Sequence, residues 1–448
     1  MSYTISVPNM LLKKIDFTFY ILSIFLIISS CKKSETIESS KSTSENTTPN
    51  ILLIIGDDIG IDPFNGFTNF GIQKAKTPTL DRLANEGLLF TQVYSNPLCS
   101  PTRATILSGQ YGFRSGVVRL PSQTAGGIKL TTTLIQQYIE QKTSNKYADA
   151  VVGKWHLSDN SNGGSSNPNK MGIDYFAGFM GGEVADYYKW QKVTNGQTAS
   201  STNYTATDFT NESINWIKQQ TKPWFLRLAH NAAHFPYQDP PKNLISSPID
   251  NTNLSKYLAS IEAMDTEINR LLQNIPKAQL DNTVIIFLGD NGTPEILAQS
   301  PFTKDTSKGS LFEGGVRVPM IVYGKGVSRK GIDASLINTT DLFATIADIA
   351  GTNTTSYQDS KSFKALFTTA NSFIRDITYK EIDHSMNPDT KNGTAIRDKQ
   401  YKYVKTKSGA EYLFDLTKDE SEQKNLAQDS QFKTIKDNLA LKLSAIQK

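Results

Sequence analysis

Apolar residues in this chain fall into short unbroken runs, separated by stretches where they recur every three or four positions. The run Ile51-Leu52-Leu53-Ile54-Ile55 is continuous and isoleucine-rich, the pattern of a strand covered on both faces. Further runs at 147–152, 224–229, 284–288 and 318–323 predict four more strands. Between them the spacing is helical. Residues 77–87 carry Pro78 near the start, Leu80 and Leu83 on one face and Gly87 at the stop. Residues 131–141 and 208–220 read as further helices. Leu254, Leu258, Ile261, Ile268, Leu271 and Ile275 mark a long amphipathic one. Strand and helix alternate, which predicts an α/β fold: a large doubly wound mixed sheet flanked by helices.

After about residue 370 the pattern changes. Residues 395–397, 401–404 and 412–415 read as short antiparallel strands, with Lys407-Ser408-Gly409 as a turn and a closing helix from about Phe432. The expected organisation is a main domain over 51–370 and a small C-terminal antiparallel-sheet plus helix subdomain over 371–448.

The N-terminal pattern differs again. Lys13-Lys14 precedes an apolar run, 17–28, that is too short to span a bilayer of about 30 Å as a helix. Met10 is a plausible start, because it gives a more usual basic region. Ser29-Ser30-Cys31 follows the run and resembles a bacterial lipobox. That resemblance implies an exported lipoprotein with a signal peptide over 1–30, cleaved before Cys31, and lipidation of the Cys31 thiol. The alternative is a plain secretory signal. Residues 32–50 are rich in Lys, Ser, Thr and Glu and cannot bury enough surface to fold. With Cys31 they form a flexible tether over 31–50, about 25 Å end to end, and the expected partner is a membrane reached through the lipid anchor, on its periplasmic side or at the cell surface.

Composition narrows the function. The 448 residues carry a net charge of +4 and 20% charged residues, without the concentrated basic face that nucleic-acid binding requires. The two cysteines, Cys31 and Cys99, are each given a separate role, so no disulfide framework is expected.

The candidate chemistry lies just past the carboxyl ends of the predicted strands, where open α/β sheets place ligands. Asp57-Asp58 and Asp290-Asn291 end two strands far apart in sequence. All four side chains offer oxygen and three are anionic, a donor set that suits Ca2+ better than zinc. Either pair alone favours a turn or helix cap; the two pairs together favour a metal.

The run Cys99-Ser100-Pro101-Thr102-Arg103 resembles the C-x-P-x-R signature of the sulfatase family, formylglycine-dependent and arylsulfatase-like, within the alkaline phosphatase superfamily. Taken alone, Cys99 also reads as a buried free thiol at a helix start. The resemblance widens over most of the chain. Ile54-Ile55-Gly56-Asp57-Asp58, Gly153-Lys154-Trp155-His156-Leu157, His234-Phe235-Pro236 and Gly289-Asp290-Asn291-Gly292 match in order. So do Lys308 ahead of Glu313-Gly314-Gly315-Val316-Arg317, and Tyr412-Leu413-Phe414-Asp415-Leu416 with Asn425-Leu426-Ala427. Ser158 stands where glycine is common and Ala233 where proline is common; neither carries chemistry.

The resemblance implies that Cys99 is converted to formylglycine by a maturation enzyme. It also implies that Cys99, Asp57, Asp58, Asp290 and Asn291 hold calcium, and that Arg103, Lys154, His156, His234 and Lys308 line a sulfate pocket. In that scheme one hydroxyl of the aldehyde hydrate attacks sulfur, and His234 with Lys308 protonates the leaving oxygen. His156 then removes the proton that lets the sulfated hydrate collapse. The expected activity is hydrolysis of sulfated carbohydrate. The alternatives are a phosphodiesterase or phosphonate monoester hydrolase with the same nucleophile, and a non-catalytic glycan-binding lipoprotein. His230 leaves a structural and a substrate-binding role open. His384 is a candidate to reach the pocket from the C-terminal part. Tyr187, Tyr188 and Trp190 are candidates to stack on sugar rings, with core packing as the competing reading.

Overall fold

The computed structural model describes residues 48–122, 125–385 and 387–448. Cys31, the expected export segment and most of the expected tether lie outside the described residues. The folded chain begins at β1, Asn50–Gly56, in which every residue is buried. Leu52 and Ile54 point into one core and Ile51, Leu53 and Ile55 into another, because successive side chains of a strand face opposite ways. Each buried Leu or Ile contributes roughly 1.5–3 kcal/mol, so a strand of this composition is stable only with a layer on either side.

Those layers are helical. One core packs α1, Pro78–Glu86, with later helices at Thr205–Lys218 and Asn253–Asn274. The other packs α2, Cys99–Ser108, with Ile135–Thr143 and Leu342–Ile349. Around β1 the sheet adds β2 (Leu88–Tyr94), β3 (Ala148–Lys154), β4 (Tyr175–Phe179), β5 (Trp190–Thr194), β6 (Gln197–Ser201), β7 (Trp224–Ala229), β8 (Thr283–Gly289), β9 (Arg317–Gly324) and β10 (Gly331–Asp333). Their order is β10-β2-β9-β8-β1-β7-β3-β4-β5-β6, with the short strand Ile337–Asn338 pairing β2. The centre, β8-β1-β7-β3-β4, is parallel, and β9, β5 and β6 run antiparallel to their neighbours. The doubly wound mixed sheet is therefore present.

The C-terminal part forms a four-stranded antiparallel sheet, Thr378–Ile382, Gly393–Arg397, Tyr401–Thr406 and Glu411–Asp415, covered by the helix Lys433–Ile446. Ion pairs, one of them buried, tie it to Glu313 and Arg317 at the start of β9. Lys402 Nζ lies 3.0 Å from Glu313 and 2.8 Å from Glu422, and Arg317 at the start of β9 lies 2.8 Å from Glu420.

Three expectations are corrected. The helix expected over 131–141 starts at Ile135. Thr131, Thr132 and Thr133 are β-branched and precede a start at Leu134, whose N–H donates to Gln137 Oε1 at 3.2 Å. The antiparallel region begins one strand earlier than expected, at Thr378–Ile382. Tyr187 and Trp190 are buried, and Trp190 packs edge-on to Phe179 and Phe209, so core packing claims both.

Candidate active site

The carboxyl ends of β1, β3, β7 and β8 and the N-terminus of α2 converge on one spot. Asp57 and Asp58 follow β1 directly. In an extended strand they would face opposite sides of the sheet, but Asp58 takes φ +62°, a left-handed turn that Asp tolerates. This aims both carboxylates the same way. Asp58 N–H donates to Asp290 Oδ1 at 3.0 Å, and Tyr257 hydroxyl donates to Asp58 O at 2.7 Å, fixing the turn from two sides.

Cys99 is the first residue of α2 and is buried. Thr102 Oγ1 holds the entry: it accepts from Asn96 N–H at 3.0 Å and donates to Leu98 O at 3.1 Å. Pro101 falls in the first turn, where the lost N–H has no helical partner in any case. The start of a helix favours negative charge, which suits an anion at Cys99. Cys99 Sγ lies 3.8 Å from Asp58 Oδ1. Burial pushes its thiol up, against the pull of Lys154 and Lys308.

Donor atoms of Asp57, Asp58, Cys99 and Asp290 lie within 4.8 Å of one another. Asn291 Nδ2 donates to Asp58 Oδ1 at 2.8 Å, which leaves Asn291 Oδ1 buried without a hydrogen-bond partner. Asp57 Oδ1 is likewise buried and accepts no hydrogen bond. Unsatisfied buried acceptors carry a cost, and several hard oxygen donors aimed together fit a divalent cation such as calcium. The five expected ligands are thus brought together.

Cations surround this cluster. Lys154 Nζ lies 2.6 Å from Asp57 Oδ2, and Lys308 Nζ lies 2.6 Å from Asp58 Oδ1. Burial would raise the Asp58 carboxyl, but Lys308, His234 and Lys154 outweigh it and hold the group well below its usual range. Burial would lower Lys308, but Asp58 and its neighbours hold it above. Arg103 braces the carboxylates from beneath. Its Nε and Nη2 donate to Asp290 Oδ2 at 3.1 and 2.7 Å, Nη1 donates to Lys154 O at 3.2 Å, and Nη2 lies 3.4 Å from Asp57 Oδ1. Those contacts all go to protein, so Arg103 acts on the carboxylates.

Two side chains mark the opening. His234 and Lys308 are 14% and 19% exposed, while Lys154, Arg103 and Asp57 are fully covered. His234 Nε2 lies 3.7 Å from Asp58 Oδ2, and burial with the nearby lysines lowers the imidazole to about 4. His156 follows β3 with φ +58° and a buried Nδ1 that has no partner. Burial, then Lys154 and Arg103, hold it well below its ordinary value, so it is neutral. Gly182 makes room for its ring: a Cβ there would lie 2.6 Å from His156 Cε1.

The remaining candidates separate. His230 is buried against Phe209 with both ring nitrogens unpartnered, and burial lowers it to about 3. Tyr187 hydroxyl donates to Asn231 O at 2.9 Å and His234 O at 2.5 Å, so it supports the segment that carries His234. Tyr188 is exposed and donates to Asp239 O at 2.8 Å. The sequence reading missed Phe235, which is 54% exposed beside His234 and packs edge-on to Tyr237. It also missed Tyr257 under Asp58. A phenylalanine next to a motif histidine is the signal that could have found the first; the second lies on an ordinary apolar helix face.

The family model described as Sulfatase matches residues 49–352, and one described as N-sulphoglucosamine sulphohydrolase, C-terminal, matches residues 306–448. The uncharacterized sulfatase YdeN of Escherichia coli (strain K12) is 28% identical over 356 residues, 67% of this chain and 62% of that protein. N-acetylgalactosamine-6-sulfatase of Homo sapiens is 29% identical over 341 residues, 68% of this chain and 62% of that protein. The chain therefore spans 62% of the length of these two curated relatives. Among solved structures, that of Ps i-CgsB in complex with k-i-k-neocarrahexaose is similar, with a TM-score of 0.77 at 26% identity over 89% of this chain and 92% of that one.

Proposed function

This chain belongs to the sulfatase family, and on that premise we propose that it hydrolyses sulfate esters of carbohydrates. The observation that carries the proposal is the convergence of Asp57, Asp58, Cys99 and Asp290 within 4.8 Å, ringed by Lys154, Lys308, His156 and His234. In this reading Asp57, Asp58, Asp290, Asn291 and the converted Cys99 hold calcium. When bound there, calcium would supply positive charge for an anionic ester, and formylglycine at 99 would supply a nucleophilic hydroxyl.

The other parts follow from the chain's own side chains. Lys154 and Lys308 give the anionic ester two ammonium partners in a closed site, where charge interactions are strong. Lys308, held charged, and neutral His234 flank the opening. Lys308 Nζ holds the proton for the leaving oxygen, and His234, whose Nδ1 donates to Phe235 O at 2.9 Å, offers Nε2 as an acceptor beside it. His156, neutral and with Nδ1 free of protein partners, accepts a proton on the opposite side. The buried floor excludes water from the reacting atoms.

The substrate class rests on likeness: one relative bears a galactosaminide sulfatase name and a structural neighbour was solved with a neocarrahexaose. The Cys31 segment supports export and lipid anchoring at a bacterial membrane, and Cys99-Ser100-Pro101-Thr102-Arg103 supports a formylglycine-generating partner. The test is mass spectrometry of the Cys99 peptide from active enzyme. The expected result is loss of the thiol and gain of an aldehyde; an intact thiol in fully active enzyme overturns the assignment.

A further inference from the structure

Three segments besides the catalytic strands meet at the opening. Gly309, beside Lys308, donates its N–H to Pro97 O at 3.0 Å, two residues before Cys99. Leu98, Leu311 and Ile382 share a small apolar cluster, against which Leu120 packs. Asp383 N–H donates to Val118 O at 3.3 Å, and Asn387 Nδ2 donates to Gly309 O at 3.3 Å. The turn after Ile382 is thereby tied to the segment before Leu120 and to the residue after Lys308.

Arg119 and His384 stand on these tied segments. Arg119 is exposed, with no carboxylate partner among the described residues. His384 is half-buried, and its Nδ1 is buried without a hydrogen-bond partner. Its backbone is clamped: N–H donates to Asn392 Oδ1 at 2.9 Å, and Asn392 Nδ2 donates back to His384 O at 3.0 Å. The Asp383 N–H to Val118 O bond sets Arg119 and His384 next to each other along the two segments, and burial with the Arg119 charge lowers the imidazole. The neighbouring acid, Asp383, is occupied by Lys407 at 2.6 Å. An imidazole on a clamped backbone and an unpaired guanidinium, on segments tied to the residue after Lys308, are short of an anion.

We propose that Arg119 and His384 form a second anion subsite at the rim of the catalytic opening, taking a second sulfate or a carboxylate of the same glycan. The proposal rests on the sulfatase reading and adds a substrate class: glycans carrying negative charge beyond the sulfate that is cleaved. Arg119 supplies a planar donor pair for the oxyanion and His384 one further donor. Sugars whose only anion is the sulfate to be cleaved leave both unfilled.

The test is calorimetric binding to calcium-loaded protein with Cys99 unconverted, which holds substrate without turning it over. The probes are a disaccharide with two sulfates, the same disaccharide with one, and a singly sulfated disaccharide that contains a uronate. Wild type is expected to bind at least one two-anion sugar roughly tenfold more tightly than the monosulfated one. The disulfate and uronate arms identify which anion is preferred. Arg119→Ala and His384→Gln are expected to bring that ratio towards one, Arg119→Glu to take it below one, and Arg119→Lys to keep part of it. A wild-type ratio of one, or a ratio that survives Arg119→Glu, overturns the subsite. Failure of matured enzyme to release sulfate from any of the three sugars would overturn the sulfatase reading separately, because the binding ratio does not depend on turnover.

Discussion

Lys308 Nζ lies 2.6 Å from Asp58 Oδ1, so the lysine at the catalytic opening neutralises a carboxylate assigned to the metal. A divalent cation entering the cluster takes over that charge and leaves the ammonium to face the substrate. Lysine and calcium therefore compete for Asp58. Lys308→Met is expected to tighten calcium binding about tenfold, equivalent to ~1.4 kcal/mol, while activity falls. It should also lower the melting temperature of chelator-treated protein, because Asp58 is then a buried charge without its partner. Calcium calorimetry checks this, and weaker calcium binding in the variant contradicts it.

Gly182 is where His156 finds space. A Cβ there would sit 2.6 Å from His156 Cε1, and the ring cannot retreat without leaving the cluster. Gly182→Ala is expected to keep the fold and lower kcat about 100-fold, the scale of losing one proton-transfer group. Steady-state kinetics beside a thermal melt separate the two effects. Wild-type kcat in a folded variant would remove His156 from the proposed chemistry.

Glu381 gives a pH test away from the metal cluster. It accepts from Phe113 N–H at 2.8 Å and from Tyr379 hydroxyl at 3.1 Å, and burial raises its carboxyl to about 7 from an ordinary 4.5. The folded state thus favours the protonated form. Stability is fully present below about pH 4.5 and falls as pH rises to about 7, by about 3 kcal/mol. Glu381→Gln removes that loss. Melting at pH 4.5 and pH 8 should show the variant gaining on wild type only at the higher pH, and an equal gap at both pH values contradicts the assignment.

The lipobox reading predicts that Cys31→Ala releases the protein from membranes, or blocks its processing, without harming the sheet, whose first described strand is Asn50–Gly56. Membrane fractionation of wild type and variant decides it, and equal solubility of both means an ordinary secretory signal.

The continuous apolar runs made the buried centre of the sheet legible, because a strand covered on both faces has no alternation to confuse with a helix. β5 and β6 escaped: Gln197, Thr198, Ala199 and Ser200 are exposed and none is a large apolar residue, so nothing in their order separates an edge strand from a loop. β2 escaped for another reason, since the sequence reading passed from the helix that ends near Gly87 straight to Cys99. At the site, residue identities were readable because the motifs that carry them resemble those of the sulfatase family in order; the acidic pairs alone read as turns or caps. Their pairing was not. That Arg103 braces Asp290 from beneath, that Tyr187 holds the His234 backbone, and that Gly182 faces His156 are results of long-range packing that no local pattern encodes.

The central claim is that Cys99, once converted, cleaves sulfate esters within this cluster. It is tested most directly by ion chromatography of inorganic sulfate released from a sulfated oligosaccharide, with a phosphate diester assayed on the same preparation. Matured, calcium-loaded wild type is expected to release sulfate and to prefer the sulfate ester, and Cys99→Ala to release none. Equal release by Cys99→Ala, or preferred cleavage of the phosphate diester, would contradict the account.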